Sequence, residues 1–328
     1  MAESLIFAVL CLDGARSGAS RSMVKKVSAR GEISPAGAGF ARESGAKSCE
    51  AGKRVIKNLI RFCSLWMLCR AESEAPSARR QVMPARETEA IILKTFPLGE
   101  ADRLVSFFGR DSGRLRGVAA GARRIKNRYG STLEVLSHVQ LRYVERETRD
   151  LVRIQECELL ESFHEAQSNY SLSTGLAMIS EIVERTLPEQ EVAEPMFRLL
   201  LLAAREVERR GSWELPLAYF AFWAVKLGGY LPPLERCAVC GNAFGDEPGF
   251  HFGQAAGLSC ARCGKPGMRP LGKRGRELAR YFLASRLDEI ELPEEIRKAL
   301  AELRETTLDW IEHHLERRLQ TREFLETP

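Results

Sequence analysis

Four cysteines in two closely spaced pairs offer the most specific chemistry in this sequence. Cys237 and Cys240 form one C-x-x-C pair, Cys260 and Cys263 form the second, and 19 residues separate the pairs. Each pair can place two thiolates on one side of a tight turn, and two such turns can close a tetrahedron around zinc. The alternatives are two disulfides, a redox-active pair or chance, and the double spacing favours one zinc ion. Four protein ligands leave no open coordination position, so we expect a structural ion.

Two glycines and one histidine accompany the cysteines. Gly241 and Gly264 each follow a pair, where glycine tolerates a left-handed backbone and lets amide hydrogens approach the thiolates. His251 lies between the pairs. Because the cysteines already complete the coordination, we expect His251 to be an ordinary strand or loop histidine.

Length and composition are those of a soluble globular protein with two or three domains. The chain has 328 residues, of which 45% are hydrophobic and 28% charged,. Nine cysteines are present, but those outside the two pairs follow no disulfide spacing, which favours a reducing cytoplasm. The apolar run at residues 5–12 is too short to cross a membrane and lacks a preceding positive region, so we expect neither a membrane span nor a signal peptide.

The positive charge of the chain is concentrated in its first quarter. Residues 1–82 contain 14 Lys or Arg and 7 Asp or Glu, whereas residues 83–328 contain 35 and 37. This first segment is rich in Ala, Ser, Gly and Arg and has no sustained hydrophobic period. It is either a basic arm that binds nucleic acid or an extension upstream of a true start at Met83. We favour the second interpretation and expect residues 1–82 to be disordered or misassigned.

The segment that follows has the pattern of a small β-barrel. Five short strands are predicted, at residues 90–96, 103–108, 114–120, 133–143 and 151–159. Apolar and polar residues alternate in the fourth strand, which places His138 on its wet face, and a phase change in the fifth predicts a β-bulge. Five strands joined by glycine-rich turns are typical of an OB-fold, a barrel that often binds oligonucleotides.

This barrel segment carries the densest basic cluster of the chain. The candidate nucleic-acid contacts are Arg110, Arg114, Arg116, Arg123, Arg124, Lys126, Arg128 and Tyr129. The cations are suited to holding phosphates, and the tyrosine ring is suited to stacking on a base. Arg114 and Arg116 have the same strand parity and should share a face. The alternative is a solvated charged face. Without a base-reading motif, we expect salt-sensitive binding with little sequence preference.

After the barrel the hydrophobic period becomes helical. Apolar stripes predict helices around residues 172–183, 195–202, 213–227, 275–285 and 294–319,. We therefore assign an OB-fold domain at 83–163, a helical domain at 164–236 and 269–328, and a zinc-binding module at 237–268 inserted between its two parts. The predicted fold class is α+β.

The common catalytic motifs are absent from the sequence. It contains no P-loop, no G-x-S-x-G elbow and no H-E-x-x-H helix,. No group of carboxylates has a spacing that marks it as catalytic. We therefore expect a binding protein and not an enzyme.

The order of these parts, together with several short motifs, resembles the RecO family of bacterial recombination mediators. The resemblance covers residue 83 to about 319 and includes the four cysteines. Its other motifs lie at residues 87–94 (ETEAIILK), 98–104 (LGEADRL), 113–115 (GRL), 117–124 (GVAAGARR) and 228–232 (GGYLP). Residues 1–82 have no counterpart in it.

The resemblance implies a function that spacing alone does not show. Members of this family bind single- and double-stranded DNA and anneal complementary strands. They act with RecR, sometimes with RecF, to load RecA onto DNA coated by single-strand binding protein, and they contact the acidic C-terminal tail of that coating protein. Some members lack the cysteines, which fits a purely structural metal. Lys273, Arg274 and Arg276 are candidate receivers of the tail.

Two functions of other classes remain as alternatives. The first is a zinc-ribbon and OB-fold scaffold that binds RNA or protein and does not anneal strands. The second is a nuclease or transferase with carboxylates that the motifs do not reveal.

Overall fold

The computed structural model describes residues 84–146, 149–251 and 257–325, and these lie in one compact unit. The predictions for residues 1–82, and for a start at Met83, fall outside the described residues. Among the described helices, none is both long and apolar enough to cross a membrane.

The first five strands close into a barrel. They are β1 (Ala85–Leu98), β2 (Asp102–Gly109), β3 (Gly113–Ala119), β4 (His138–Arg146) and β5 (Arg149–Glu161). Around the barrel their order is β1-β2-β3-β5-β4, with β4 pairing back to β1. All neighbours are antiparallel except β3 and β5, which are parallel. This five-stranded closed barrel confirms the predicted OB-like fold.

Strand β1 is buried on both faces. Ala90 and Ile92 point into the barrel core, whereas Ile91 and Leu93 belong to the core of the helical part. Successive side chains of a strand point to opposite faces, so a strand between two cores needs apolar residues at every position. This explains why the sequence shows a continuous apolar run here and not an alternation.

The sequence predicts the bulge in β5 correctly but places the start of β4 too early. Arg142 pairs with Glu156 and Tyr143 with Ile154, so one residue of β5 is left over, which confirms the predicted bulge,. The predicted start of the fourth strand at residue 133 is wrong. Residues 130–136 form turns, and Leu136 has a φ of 60°. Leu133 there enters the barrel core and Leu136 the helical core, so the two side chains follow the alternation of a strand although the backbone turns.

The rest of the chain is mainly helical. Its helices are α1 (His164–Ser168), α2 (Tyr170–Thr186), α3 (Glu194–Arg210), α4 (Glu214–Leu227), α5 (Lys273–Ala284), α6 (Arg297–Leu315) and α7 (Arg322–Leu325). Single 3-10 turns occupy Leu287–Glu289 and Glu294–Ile296, and a small hairpin pairs β6 (Gly249–His251) with β7 (Arg269–Leu271). Local signals set several ends: the Asn169 side chain caps α2, and Gly211 ends α3 with a φ of 62°,.

The barrel packs directly against the helical part. The Phe108 and Phe197 rings of β2 and α3 lie 5.6 Å apart, and the Ser180 hydroxyl of α2 donates to the Leu93 carbonyl of β1 at 2.7 Å. The loop between α2 and α3 also adds to β3, because the Gln190 amide donates to the carbonyl of Arg114. Apolar packing and backbone hydrogen bonds thus hold the two parts in one orientation.

A chain of polar side chains that includes His138 crosses this junction. The histidine is 6% exposed, and its Nε2 atom lies 2.7 Å from Glu89. Its Nδ1 atom lies 3.6 Å from Glu161, which Arg205 of α3 binds at 2.7 Å. The prediction that His138 is solvated is wrong. In the folded protein, α3 covers the face of β4 that carries this histidine.

The pair formed by Glu161 and Arg205 makes stability at this junction depend on pH. Hydrogen bonds from Arg205 hold the pKa of the Glu161 carboxyl below its usual range, although partial burial opposes this. A lowered pKa adds stability that is present above the unfolded value, about 4.3, and is lost as the pH falls through the folded value.

We expect Glu161→Gln to lower the free energy of unfolding by about 0.5 to 1 kcal/mol at pH 7, since the pair is partly exposed. The difference from the original protein should shrink as the pH falls below about 4.3. Urea unfolding at a series of pH values measures both effects. The matched control is Glu158→Gln, because Glu158 is an exposed residue of the same strand with no ion-pair partner among the described residues. An equal pH dependence of both variants would contradict this assignment.

Candidate nucleic-acid interface and metal site

The four cysteines come together as the spacing predicts. Their sulfur atoms all lie within 4.8 Å of one another, and the Sγ atoms of Cys240 and Cys260 are 3.8 Å apart. A tetrahedron with metal–sulfur bonds of about 2.3 Å has edges of about 3.8 Å. The four thiols are therefore close enough to bind a single metal ion.

The electrostatics of the cluster also fit a cation. Burial raises the pKa of Cys237, but backbone amides of Cys240, Cys260 and Val239 outweigh this and lower it to about 6. In contrast, the neighbouring thiols of Cys260 and Cys240 raise the pKa of Cys263 to about 12. Four thiolates at this separation repel one another, and a bound divalent cation removes that repulsion.

The turns around the cysteines are only partly those expected. Gly241 has a φ of 72°, as predicted, but its amide donates to the Cys237 carbonyl and not to a thiolate. Gly264 makes the equivalent hydrogen bond to Cys260 but is not in the left-handed region. His251 is a buried residue of β6 whose Nε2 atom lies 3.0 Å from the Thr306 hydroxyl, which confirms that it is an ordinary strand histidine.

The cysteine module is joined to the helical core through Arg276 of α5. This arginine is 2% exposed; it donates to the carbonyls of Gly245, Glu247 and Leu271 and lies over the Phe244 ring. The hydrogen bonds from both terminal nitrogens of this buried guanidinium fix the loop between the cysteine pairs against the helix,.

Two of the three residues predicted to bind an acidic tail are already engaged in contacts within the chain. Arg276 is buried, and Lys273 pairs with Asp246 at 2.5 Å. Of the three predicted residues, Arg274 alone is exposed without a partner among the described residues. The prediction that Arg276 receives an acidic peptide is therefore wrong, because the side chain is buried and both of its terminal nitrogens donate to carbonyls of the chain.

Three arginines of the predicted nucleic-acid cluster face the helical part. Arg110 pairs with Glu89 at 2.8 Å and Glu194 at 3.0 Å. Arg114 donates to the Leu187 carbonyl and lies 3.5 Å from Glu184, and Arg116 lies 2.6 Å from Glu189. Arg114 and Arg116 do share a face, as their parity predicts, but carboxylates of α2 and of the loop between α2 and α3 pair with them. These three side chains are better explained as part of the junction.

Tyr129 is also a structural residue. Its ring is 1% exposed in the barrel core, and its hydroxyl donates to the Ile154 carbonyl at 3.1 Å. The prediction that Tyr129 stacks on a base is wrong, because the ring is packed in the barrel core and Arg128 lies over it.

The remaining cations project from one loop, residues 121–128, which we call the basic loop. Its exposed cations are Arg123, Arg124, Lys126 and Arg128. In the described part of the chain, none of them has an ion-pair partner. With Arg153 of β5, several of them line an open depression of about 410 Å³. Unneutralised cations around a depression are suited to binding a phosphate backbone.

Several hydrogen bonds hold the basic loop against the β1–β2 turn. The Gly121 amide donates to Asp102 at 2.8 Å, and the Arg123 amide and guanidinium donate to the carbonyls of Ala101 and Gly99. The Asn127 side chain accepts from two amides that follow it. The loop therefore presents its cations in a preformed arrangement.

Sequence reasoning missed Arg153 as a member of this surface. Arg153 is exposed between the buried Val152 and Ile154 of β5. The alternation of apolar and polar residues in this strand therefore already indicated that the Arg153 side chain points outward. What the sequence lacked was the parallel pairing of β3 and β5, which brings Arg153 beside the basic loop.

We expect Cys240→Ser to reduce the bound metal well below one ion per chain and to lower the free energy of unfolding by several kcal/mol. Structural zinc contributes on the order of 10 kcal/mol to the folding of small zinc domains, and this change removes one ligand. Mass spectrometry of the bound metal, which also identifies the element, and urea unfolding measure the two effects. DNA affinity per folded molecule should not change, because the basic loop lies in the barrel.

The control for this change is Cys157→Ser, since Cys157 is a partly buried thiol of β5 outside the cluster. It should keep its full metal content. A Cys240→Ser protein that keeps both metal and stability would contradict a structural site.

Comparison with known proteins agrees with this arrangement. The family described as "Recombination protein O N terminal" matches residues 83–163, and "Recombination protein O C terminal" matches residues 167–323. DNA repair protein RecO of Koribacter versatilis is 34% identical over 236 residues, which cover 72% of this chain and 96% of that protein. The RecO proteins of Thermodesulfovibrio yellowstonii and Myxococcus xanthus are both 28% identical, over 69% and 74% of this chain and 83% and 98% of their own lengths. The chain therefore belongs to the RecO family of DNA repair proteins.

Proposed function

We propose that this chain is a non-enzymatic DNA-binding mediator of recombination in the bacterial cytoplasm. It binds single- and double-stranded DNA and anneals complementary strands. With RecR, and with RecF as a further partner, it helps to load RecA onto DNA coated by single-strand binding protein. The observation that carries the proposal is the unpaired basic loop on an OB-like barrel, in a chain of a DNA repair family.

Charge pairing supports the choice of this loop. Arg110, Arg114 and Arg116 are paired with carboxylates, so phosphate binding there has to displace existing ion pairs. Arg123 and Arg128 of the basic loop contact only uncharged groups of the chain, Gly99 and Tyr129, and Arg124 and Lys126 have no ion pair to displace. Counterion release then favours binding of a phosphate backbone and makes it strongly dependent on salt.

The metal serves folding in this proposal. We infer that the four thiolates hold one zinc ion, since a tetrahedral all-thiolate site suits zinc. Cys237, Phe244 and Leu258 belong to the core of the helical part, so the ion stabilises a long irregular segment against that core. The tail of single-strand binding protein remains an expected partner without an assigned site, because two of the three residues predicted to receive it are engaged elsewhere.

The scaffold and enzyme alternatives differ from this proposal in what they do to DNA. A mediator anneals complementary oligonucleotides without nucleotide or magnesium, because it acts only by binding. Strand scission favours a nuclease, and a lack of DNA affinity favours a scaffold for RNA or protein.

We expect the full chain to speed annealing of complementary oligonucleotides, both bare and coated with single-strand binding protein, in the absence of nucleotide and magnesium. Fluorescence energy transfer between end-labelled strands measures the rate. Annealing no faster than without protein, under conditions in which the chain binds both strands, would contradict the proposal.

The double variant Arg124→Ala/Lys126→Ala tests the basic loop. It leaves Arg123 in place, because that side chain anchors the loop to Gly99. We expect weaker binding to both single-stranded and duplex DNA and a flatter dependence on salt. On a single strand the slope should fall by about 0.7 for each phosphate that the protein no longer neutralises. Fluorescence anisotropy at several salt concentrations measures both quantities.

The control removes the same charge from the helical part. Arg198→Ala/Arg297→Ala changes two exposed arginines that pair with a glutamate one turn away. It should leave both the affinity and the salt slope nearly unchanged. Equal losses in the two double variants would mean that net charge, and not the basic loop, determines binding.

A further inference from the structure

A row of side chains runs across the outer face of the barrel beside the basic loop. Phe96 of β1 pairs with Leu104 of β2, Leu104 with Val118 of β3, and Val118 with Arg153 of β5. Residues paired in this way point to the same side of a sheet. Their inward neighbours, which include Val105, Val152 and Ile154, fill the barrel core, so this row points outward.

The row forms a strip that is apolar at one end and basic at the other. Phe96 is 42% exposed, Leu104 and Val118 are partly exposed, and Arg153 is exposed. We call Phe96, Leu104 and Val118 the apolar strip. With strands about 4.8 Å apart, the row from Phe96 to Arg153 is about 14 Å long, which is comparable to a few nucleotides.

Cations border the apolar strip at both ends. Arg153 shares the depression with Arg124 and Lys126 of the basic loop. At the other end, the Lys94 ammonium lies 4.9 Å from the centre of the Phe96 ring. Within the described residues, Lys94 has no ion-pair partner. An apolar surface between unpaired cations is complementary to a chain that has phosphates outside and exposed bases inside.

We propose that the apolar strip binds unpaired bases and that Phe96 is the ring on which a base stacks. The occupant is single-stranded nucleic acid, with its phosphates held by the basic loop, Arg153 and Lys94. A base on Phe96 displaces the ammonium of Lys94 from the ring and leaves it free to pair with a phosphate. In a duplex both faces of each base are already stacked, so the strip distinguishes single strands from duplexes. This inference rests on the proposed function.

The test measures the affinity of the full-length chain for a labelled oligothymidine and for a labelled duplex hairpin at one salt concentration. We expect Phe96→Ala to weaken single-strand binding about 5- to 100-fold, the range found when a stacking ring is removed. Duplex binding and the salt slope should stay unchanged. Phe96→Tyr should keep the affinity, and Phe96→Leu, which keeps apolar area but has no ring, should not restore it.

Two measurements exclude other causes of weaker binding, namely unfolding of the variant and the loss of any exposed aromatic ring. Urea unfolding should show that Phe96→Ala is folded, as expected for an exposed position. The matched control is Tyr170→Ala, which removes an aromatic ring that is 66% exposed at the start of α2, and it should leave single-strand affinity unchanged.

The outcomes separate this inference from the proposed function. Unchanged single-strand affinity in Phe96→Ala, or an equal loss on the duplex, overturns the role of the strip and favours a protein partner on this face. If the basic-loop variant still loses affinity in that case, the proposed function stands. If the original protein binds neither DNA, both fail together.

Discussion

The burial of β1 between two cores is the constraint on which the rest of this structure depends. Ala90 and Ile92 complete the barrel, and Ile91 and Leu93 complete the core of the helical part. Removing the helical part from the barrel would expose the second set to water, at about 25 cal/mol for each Å² of apolar surface. The two parts therefore form one unit, and the faces of the barrel are no longer equivalent.

The junction between the barrel and the helical part divides the basic residues of the barrel into paired and unpaired cations. Arg110, Arg114 and Arg116 lie where α2, α3 and the loop between them supply Glu184, Glu189 and Glu194. Charges that meet at such a junction are neutralised, because a partly buried ion without a partner is costly. No described carboxylate forms an ion pair with the cations of the basic loop, although Asp102, which accepts from the Gly121 amide, lines the same depression. The basic cluster that looks uniform in the sequence is thus two groups with different roles.

The cysteine module has a separate physical task. It joins two runs of helices through a long segment with little regular structure, from the end of α4 to the start of α5. Arg276 satisfies carbonyls of that segment, and its apolar side chains enter the helical core. The four thiols of the same segment lie close enough to bind one metal ion. The most recognisable motif of the chain therefore supports the fold, while the basic loop is the candidate for binding DNA.

The sequence by itself determined the features that depend on local pattern: the closing of the cysteine pairs, the number of barrel strands, the bulge in β5 and the positions of the long helices. These follow from ligand spacing, side-chain alternation and helical period, which act over a few residues. Only the tertiary structure decided which cations are free, that His138 and Tyr129 are buried, and that Phe96 and Arg153 lie on one row. Those facts depend on carboxylates and strands that are distant in the chain, and no local pattern carries that information.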